Sequence, residues 1–164
     1  MNVLYRKPVW NIDGLSHLTC TNTLLSKEAP FKHEFSCRYS AGNILKKEGK
    51  DASLDIQSWI THILPLKKDD VRYLNFYSDF KGRDEYRYQV QFDKAITLLN
   101  DTLVEIDTNY GKYTYSVMQV KPEVIQINSV LEIHSDGVLA ENYDQVLEIV
   151  KLAGSIPTIR FTVN

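Results

Sequence analysis

The chain has 164 residues, 43% of them hydrophobic and 24% charged, which fits one globular domain over residues 1–164 and excludes a disordered or fibrous protein. No apolar run is long enough to span a bilayer, and residues 1–8 lack the apolar core of a signal peptide, so we predict a cytoplasmic protein without membrane contact. Residues 51–164 carry eleven basic and seventeen acidic side chains, a net charge of −6, which disfavours nucleic acid and favours a basic protein partner.

The N-terminal part of the chain is predicted to form strands. Residues 31–39 alternate between an apolar face that includes Cys37 and a mostly charged face, which is typical of a half-buried strand. Residues 3–9 and 15–21 are two further candidate strands. We interpret Cys20 and Cys37 as buried thiols, because a bridge between them would require export.

Two segments have the periodicity of amphipathic helices. In residues 53–64, isoleucines and Trp59 recur on one side, and Pro65 ends the pattern. We expect Trp59 to be buried against a sheet. The second helix is predicted over residues 142–153, with Gly154 just beyond its end.

The remaining segments predict two hairpins and further strands. The hairpins cover residues 71–93 and residues 102–120. Residues 124–134 and 158–163 alternate as strands, whereas residues 94–100 fit either a short helix or a wide turn. The sequence therefore predicts an α+β fold, a mostly antiparallel sheet of about 6–8 strands packed by two main helices. The final strand, helix and strand also fit a parallel crossover.

Tyrosine is concentrated in the middle of the chain, where seven of the ten tyrosines fall between residues 73 and 115. Because tyrosine joins an apolar ring to a polar hydroxyl, it suits a sheet face that meets a partner. Tyrosine is also common in the core of a sheet, so its position alone does not separate the two cases. An exposed face rimmed by acidic loop residues would be a docking surface. The predicted partner-binding residues are Tyr73, Tyr77, Asp79, Asp84, Glu85, Tyr86, Tyr88, Tyr113 and Tyr115.

No specific catalytic, cofactor or metal motif is present in the sequence. The four histidines are not spaced as a metal-binding pair, and the glycines form no phosphate-binding pattern. His62 falls on the polar side of the first predicted helix near its end, where it would complement the helix dipole. The sequence therefore favours a binding protein over an enzyme and predicts no cofactor.

One pattern resembles the metal-dependent nucleases of the restriction-endonuclease-like family. Asp107 ends a predicted strand, and Gln119 lies two residues before Lys121 at the end of the next. The resemblance implies acidic ligands for Mg²⁺ and a lysine that stabilises charge at the attacked phosphate. It departs from the family pattern because Gln119 stands where Glu or Asp is usual.

The function that best fits these observations is stoichiometric binding by an inhibitor or immunity-type protein that neutralises a basic toxin or nuclease. Opposite charges on the two partners would steer such an encounter. The alternatives are the metal-dependent nuclease, a small-ligand or assembly module, and a nucleic-acid-binding sheet that stacks bases on Tyr86, Tyr88 and Phe92. The sequence specifies neither the partner nor the oligomeric state.

Overall fold

A computed structural model describes residues 15–24, 33–41, 45–60, 62, 74–77, 81–100 and 102–164. The chain divides into two compact units, Met1–Leu45 and Lys46–Asn164. That both units belong to one domain over residues 1–164 stays a prediction.

The first unit contains an antiparallel hairpin. β1 (Leu15–Leu24) pairs with β2 (His33–Ala41), and the ladder places Cys20 directly opposite Cys37. The strands predicted at these two positions are confirmed. The candidate strand at residues 3–9 lies outside the described part of the chain.

The rest of the described chain is mostly strand, with a single α-helix. Its elements in chain order are β3 (Leu45–Glu48), β4 (Asp51–Leu54), a 3-10 helix (Gln57–Trp59), β5 (Phe76–Tyr77), β6 (Gly82–Gln91), β7 (Ile96–Leu98), β8 (Thr102–Asp107), β9 (Gly111–Lys121), β10 (Val124–Ile133), β11 (Gly137–Val138), a 3-10 helix (Ala140–Asn142), α1 (Tyr143–Ala153) and β12 (Ile159–Val163).

These strands form two four-stranded sheets and one short ribbon. The large sheet has the order β6-β10-β9-β8, and each neighbouring pair is antiparallel. The small sheet has the order β3-β4-β12-β7, with β12 antiparallel to both β4 and β7. The ribbon pairs β5 with β11. The final strand is therefore antiparallel to its neighbours, and the predicted parallel crossover is wrong.

The predicted α+β fold with two main helices is wrong, because residues 53–60, the described start of the first predicted helix, contain no α-helix. Asp51–Leu54 pair with β12 instead, so the first residues of the predicted helix lie in a strand ladder. One 3-10 turn follows, and Ile60 is already extended. The expected burial of Trp59 is confirmed. The helix predicted over residues 142–153 is confirmed as α1.

The predicted hairpin at residues 71–93 is also wrong in the part that the structure describes, residues 74–77 and 81–93. β6 pairs with β10, and β5 pairs with β11. Periodicity identifies a strand but does not determine which strand it pairs with. Here β6 forms a ladder of ten residue pairs with β10. The hairpin at residues 102–120 is confirmed as β8–β9, and the undecided residues 94–100 contain β7.

The core is formed by the inner face of the large sheet, the small sheet and α1. The rings of Phe92 and Phe161 join the two sheets, with centroids 4.7 Å apart. The Gln119 side chain donates to the Ile96 carbonyl at 2.7 Å and accepts from the Leu98 amide at 3.1 Å, which attaches β7 to the end of β9. The largest fully buried side chains are Tyr113, Tyr115, Phe161, Leu54, Ile56, Ile125, Ile127, Leu131, Ile149 and Ile159.

Candidate functional site

Four of the tyrosines predicted to meet a partner lie on the inner face of the large sheet. Tyr113 and Tyr115 are 1% and 0% exposed, and Tyr86 and Tyr88 are half-buried. The Tyr88 ring packs against Trp59 at a centroid distance of 5.6 Å, and its hydroxyl donates to the Trp59 carbonyl. The protein's own core therefore covers this face, and Tyr113 and Tyr115 are core residues.

The other predicted partner-binding residues are distributed over separate places. Tyr77 is 75% exposed on the ribbon. Asp84 and Glu85 lie at the start of β6, where both are engaged by other side chains of the protein. Tyr73 and Asp79 lie outside the described residues. The predicted set therefore does not form one exposed surface.

The outer face of the large sheet carries charges that pair with one another. Glu85 accepts from Arg83 at 2.9 Å and from Arg87 at 2.8 Å, and the Arg83 hydrogen bond lowers the pKa of Glu85. At the opposite edge of the sheet, Lys112 of β9 pairs with Glu105 of β8 at 2.5 Å. Exposed pairs of this kind add little stability. They do neutralise the acidic side chains, so Glu85 is poorly suited to attract a basic partner.

A buried polar network lies on the inner face of the same sheet. His62 Nδ1 is 3.0 Å from Asp84 Oδ2, and His62 Nε2 is 2.7 Å from Ser129 Oγ. The Tyr86 and Tyr113 rings contact the imidazole edge-on, at centroid distances of 5.1 and 5.7 Å. With an ionised Asp84, these contacts assign Nδ1–H as the donor to the carboxylate and Nε2 as the acceptor from the Ser129 hydroxyl.

Burial governs the protonation of this histidine. The His62 side chain has no exposed surface, and burial lowers the pKa of His62 against the opposing effect of Asp84. The neutral imidazole is therefore favoured in the folded protein.

The order Asp84–His62–Ser129 is the hydrogen-bonding order of serine hydrolases, but its setting differs. Ser129 is 0% exposed and lies in the middle of β10, paired on both sides. A nucleophile must reach a substrate carbonyl next to free oxyanion donors, and Ser129 has no such access. The network acts as a clamp that holds His62 against the sheet.

Sequence patterns give no signal for this clamp. His62 is 22 residues from Asp84 and 67 residues from Ser129 along the chain. The helical interpretation of residues 53–64 also placed His62 on the polar side of a helix, whereas the side chain is buried.

Exposed apolar side chains occur in the ribbon and in the residues flanking it. Leu74, Tyr77 and Leu139 are 79%, 75% and 50% exposed. The Tyr77 ring lies over Gly137, its partner in the ladder, and the Ala140 amide donates to the Asn75 side chain at 3.3 Å. The ribbon packs against α1, because the centroid of the Phe76 ring in β5 lies 5.8 Å from that of the Tyr143 ring.

Acidic side chains occur in the same part of the chain as β11 and α1. The segment of residues 136–148 contains no Lys or Arg. Its four carboxylates are all exposed, and none lies in an ion pair within the described part of the chain. We call the two groups together the ribbon surface. It comprises Leu74, Tyr77 and Leu139 with Asp136, Glu141, Asp144 and Glu148.

The residues of the nuclease-like pattern are not brought together. Asp107 is paired with Lys112 at the start of β9, whereas Lys121 ends that eleven-residue strand. At about 3.3 Å per residue, the two ends of β9 are roughly 30 Å apart. Gln119 is bonded to the backbone of β7. Among the residues that the structure describes, no group of three or more His, Cys, Asp and Glu is placed to hold a metal ion.

The nucleic-acid-binding platform is not formed either. Tyr86 and Tyr88 point to the inner face of β6, and alternation places Arg87 on the outer face. Phe92 packs against Phe161 in the core. The bases of a bound strand would find no exposed ring beside a cation here.

Comparison of the chain with protein-family models, with curated proteins and with solved structures gives no match. Within the described residues, no helix has the length and apolar character needed to cross a membrane.

Proposed function

We propose that this protein is a cytoplasmic binding protein of the inhibitor or immunity type, which neutralises a basic partner such as a toxin or nuclease by forming a stoichiometric complex. The observation that supports this proposal is the ribbon surface, which combines exposed apolar side chains with carboxylates that lie in no ion pair among the described residues.

The composition of the ribbon surface suits a protein partner. An exposed aromatic ring with apolar neighbours is the usual centre of an interface, and Tyr77 with Leu74 and Leu139 supplies it. Burying these three side chains removes apolar surface from water, which favours association. Unpaired acids at the rim attract a basic surface and accelerate the encounter.

The ribbon surface differs from the surface that the sequence suggested. Of the seven predicted residues that the structure describes, only Tyr77 belongs to it. Two of its acids, Glu141 and Asp144, also favour the start of α1 through the helix dipole. Glu148 lies beyond the first turn of α1, and its charge has no such structural role.

The other candidate functions have less support. A nuclease would need Asp107 and Lys121 close together, and they lie at opposite ends of β9. A nucleic-acid-binding or small-ligand sheet would need open space above the tyrosines, and Trp59 and His62 occupy it.

The proposal is tested with matched baits. The full chain, the variant Tyr77→Ala and the control variant Leu103→Ala are immobilised and exposed to extract of the source cell. Leu103 is 70% exposed on β8, outside the ribbon surface. We expect the full chain and Leu103→Ala to retain one basic protein in equimolar amount. Tyr77→Ala should bind it about 30-fold more weakly, the loss typical of an interface hot spot.

Two further measurements complete this test. Adding the purified chain should abolish the activity of the captured partner, and Glu148→Lys should slow association more than it speeds dissociation. Retention of the same partner by Tyr77→Ala with unchanged affinity would contradict the proposal.

A further inference from the structure

The hairpin of the first unit places the cysteines in register. The chain contains two cysteines among 164 residues, and the β1–β2 ladder sets Cys20 directly opposite Cys37. The neighbouring pairs are Thr21 opposite Ser36 and Thr19 opposite Arg38, and the register shifts between His17 and Thr19. Residues opposite each other in an antiparallel ladder lie on the same face of the sheet.

This placement meets the distance requirement of a disulfide. Opposite residues in antiparallel strands have Cα atoms about 4.5 Å or about 5.5 Å apart, depending on whether they exchange hydrogen bonds. Disulfides span Cα separations of about 4.4–6.8 Å. Both types of pair fall in this window, so the register meets the Cα distance requirement whichever type this pair is.

We propose that Cys20 and Cys37 are a modification site at which an intramolecular disulfide forms across the hairpin. The oxidant is a disulfide of the glutathione class. A thiolate of one cysteine attacks glutathione disulfide and releases one glutathione thiolate. The second cysteine attacks the mixed disulfide and releases the other. Two protein thiols are oxidised, two glutathione thiols are formed, and the S–S bond joins Cys20 to Cys37.

The cross-link has a structural consequence for the hairpin. A two-stranded hairpin is marginally stable in water, and closing the loop between residues 20 and 37 restricts the unfolded chain. In a reducing compartment the two cysteines remain thiols, so the disulfide that stabilises the hairpin forms only on oxidation.

Equilibration with reduced and oxidised glutathione tests the site. The full chain is equilibrated in native buffer and in urea, quenched with acid and measured by intact-mass spectrometry. An intramolecular disulfide lowers the mass by two hydrogens, whereas a mixed disulfide adds glutathione. Because the ladder aligns the two cysteines, we expect the intramolecular form to be favoured about tenfold or more in native buffer relative to urea.

A register-shifted variant is the control. In Cys20→Ser combined with Thr21→Cys, the new cysteine occupies the opposite face of the ladder, so the native advantage should be lost. Equal disulfide formation in native buffer and urea, mixed disulfides as the main product, or an unchanged advantage in the shifted variant would each overturn the proposal.

Discussion

Two neighbouring tyrosines of β9 differ in what their buried hydroxyls contact. Ser129 Oγ lies 3.3 Å from the Tyr113 hydroxyl, whereas the Tyr115 hydroxyl has no hydrogen-bond partner among the described residues. Burial raises the pKa of both phenols, and the Ser129 contact partly opposes this for Tyr113. A buried hydroxyl without a partner costs free energy that a bonded one recovers.

This contrast predicts opposite effects of the same substitution. Tyr115→Phe removes the unsatisfied hydroxyl and should leave the free energy of unfolding unchanged or raise it by about 1 kcal/mol. Tyr113→Phe leaves the buried Ser129 with one contact fewer and should lower it by about 1 kcal/mol. Urea unfolding of both variants gives the comparison. Loss of stability in Tyr115→Phe would mean that its hydroxyl has a partner in solution.

Protonation of His62 links the clamp to pH. The folded state holds the pKa of His62 below its ordinary value of 6.5, so between the folded and unfolded values the unfolded chain binds more protons. The stability contributed by the neutral imidazole is complete above about pH 6.5 and is lost as the pH falls through the folded pKa. Asp84 opposes this shift, because its carboxylate favours the imidazolium.

We therefore expect the free energy of unfolding to decrease as the pH is lowered below about 6.5. The variant His62→Gln lacks the titrating group and should show a flatter profile over the same range. Urea unfolding between about pH 5 and 8 measures both profiles, because histidine titrates within that range. Identical slopes in the two proteins would assign the pH dependence to another group.

At the scale of elements, the positions of the longer strands were predictable, whereas the short strands β3 and β4 and the partners distant in sequence were not. Residues 102–120 formed the expected hairpin because β8 and β9 are neighbours in sequence as well as in the sheet. β6 joined β10 across about thirty residues of chain, a pairing that no local pattern encodes. Residues 53–64 have helical periodicity, yet Asp51–Leu54 found β12 more than a hundred residues away. Such long-range pairing overrides local propensity.

The candidate site follows the same division. The concentration of tyrosines indicated the part of the chain that contains the large sheet. Only the pairing of β6, β10 and β9 decides which face of that sheet is buried. The acidic content of residues 136–148 was visible in the sequence. Its position beside Tyr77 depends on the β5–β11 ribbon, whose two-residue strands are too short to show a period.

Close approach between β9 and β10 depends on one glycine. A Cβ at Gly111 would lie 2.4 Å from the Glu132 carbonyl oxygen, which belongs to the backbone and cannot move aside. A Cβ at Gly137 would meet the Tyr77 ring at an ordinary 3.4 Å. Gly111→Ala should therefore lower the free energy of unfolding by about 1–3 kcal/mol, the usual cost of overpacking.

The matched substitution Gly137→Ala should be neutral or slightly stabilising, since it restricts the unfolded chain without a clash. Thermal and urea unfolding of the two variants make the comparison. Equal stability of Gly111→Ala and the unmodified chain would mean that β9 and β10 separate at this position in solution.

At the scale of the whole molecule, the two units differ in their described secondary structure. The second unit has two four-stranded sheets, a helix and a core that includes Phe161, Ile127 and Ile149. Independent stability requires three or more strands with an apolar face or packing against a helix, which the second unit has and a two-stranded hairpin lacks. The described part of the first unit is such a hairpin.

The second unit should therefore fold without the first. A chain of residues 45–164, which keeps all of β3, should unfold in one cooperative transition, with a free energy within about 1 kcal/mol of that of the corresponding transition in the full chain. The same chain with Gly111→Ala should lose as much stability as the full-length variant, because the Gly111–Glu132 contact lies wholly within the second unit. Residues 15–41 alone, with both cysteines reduced, should show no cooperative transition.

Urea unfolding followed by circular dichroism and by tryptophan fluorescence reports the transition of the longer fragment, since Trp59 is buried in its core. Non-coincident transitions, or a fragment 45–164 that lacks a fixed tertiary structure, would mean that the first unit contributes to the core and that the chain folds only as a whole, as a single domain over residues 1–164 requires.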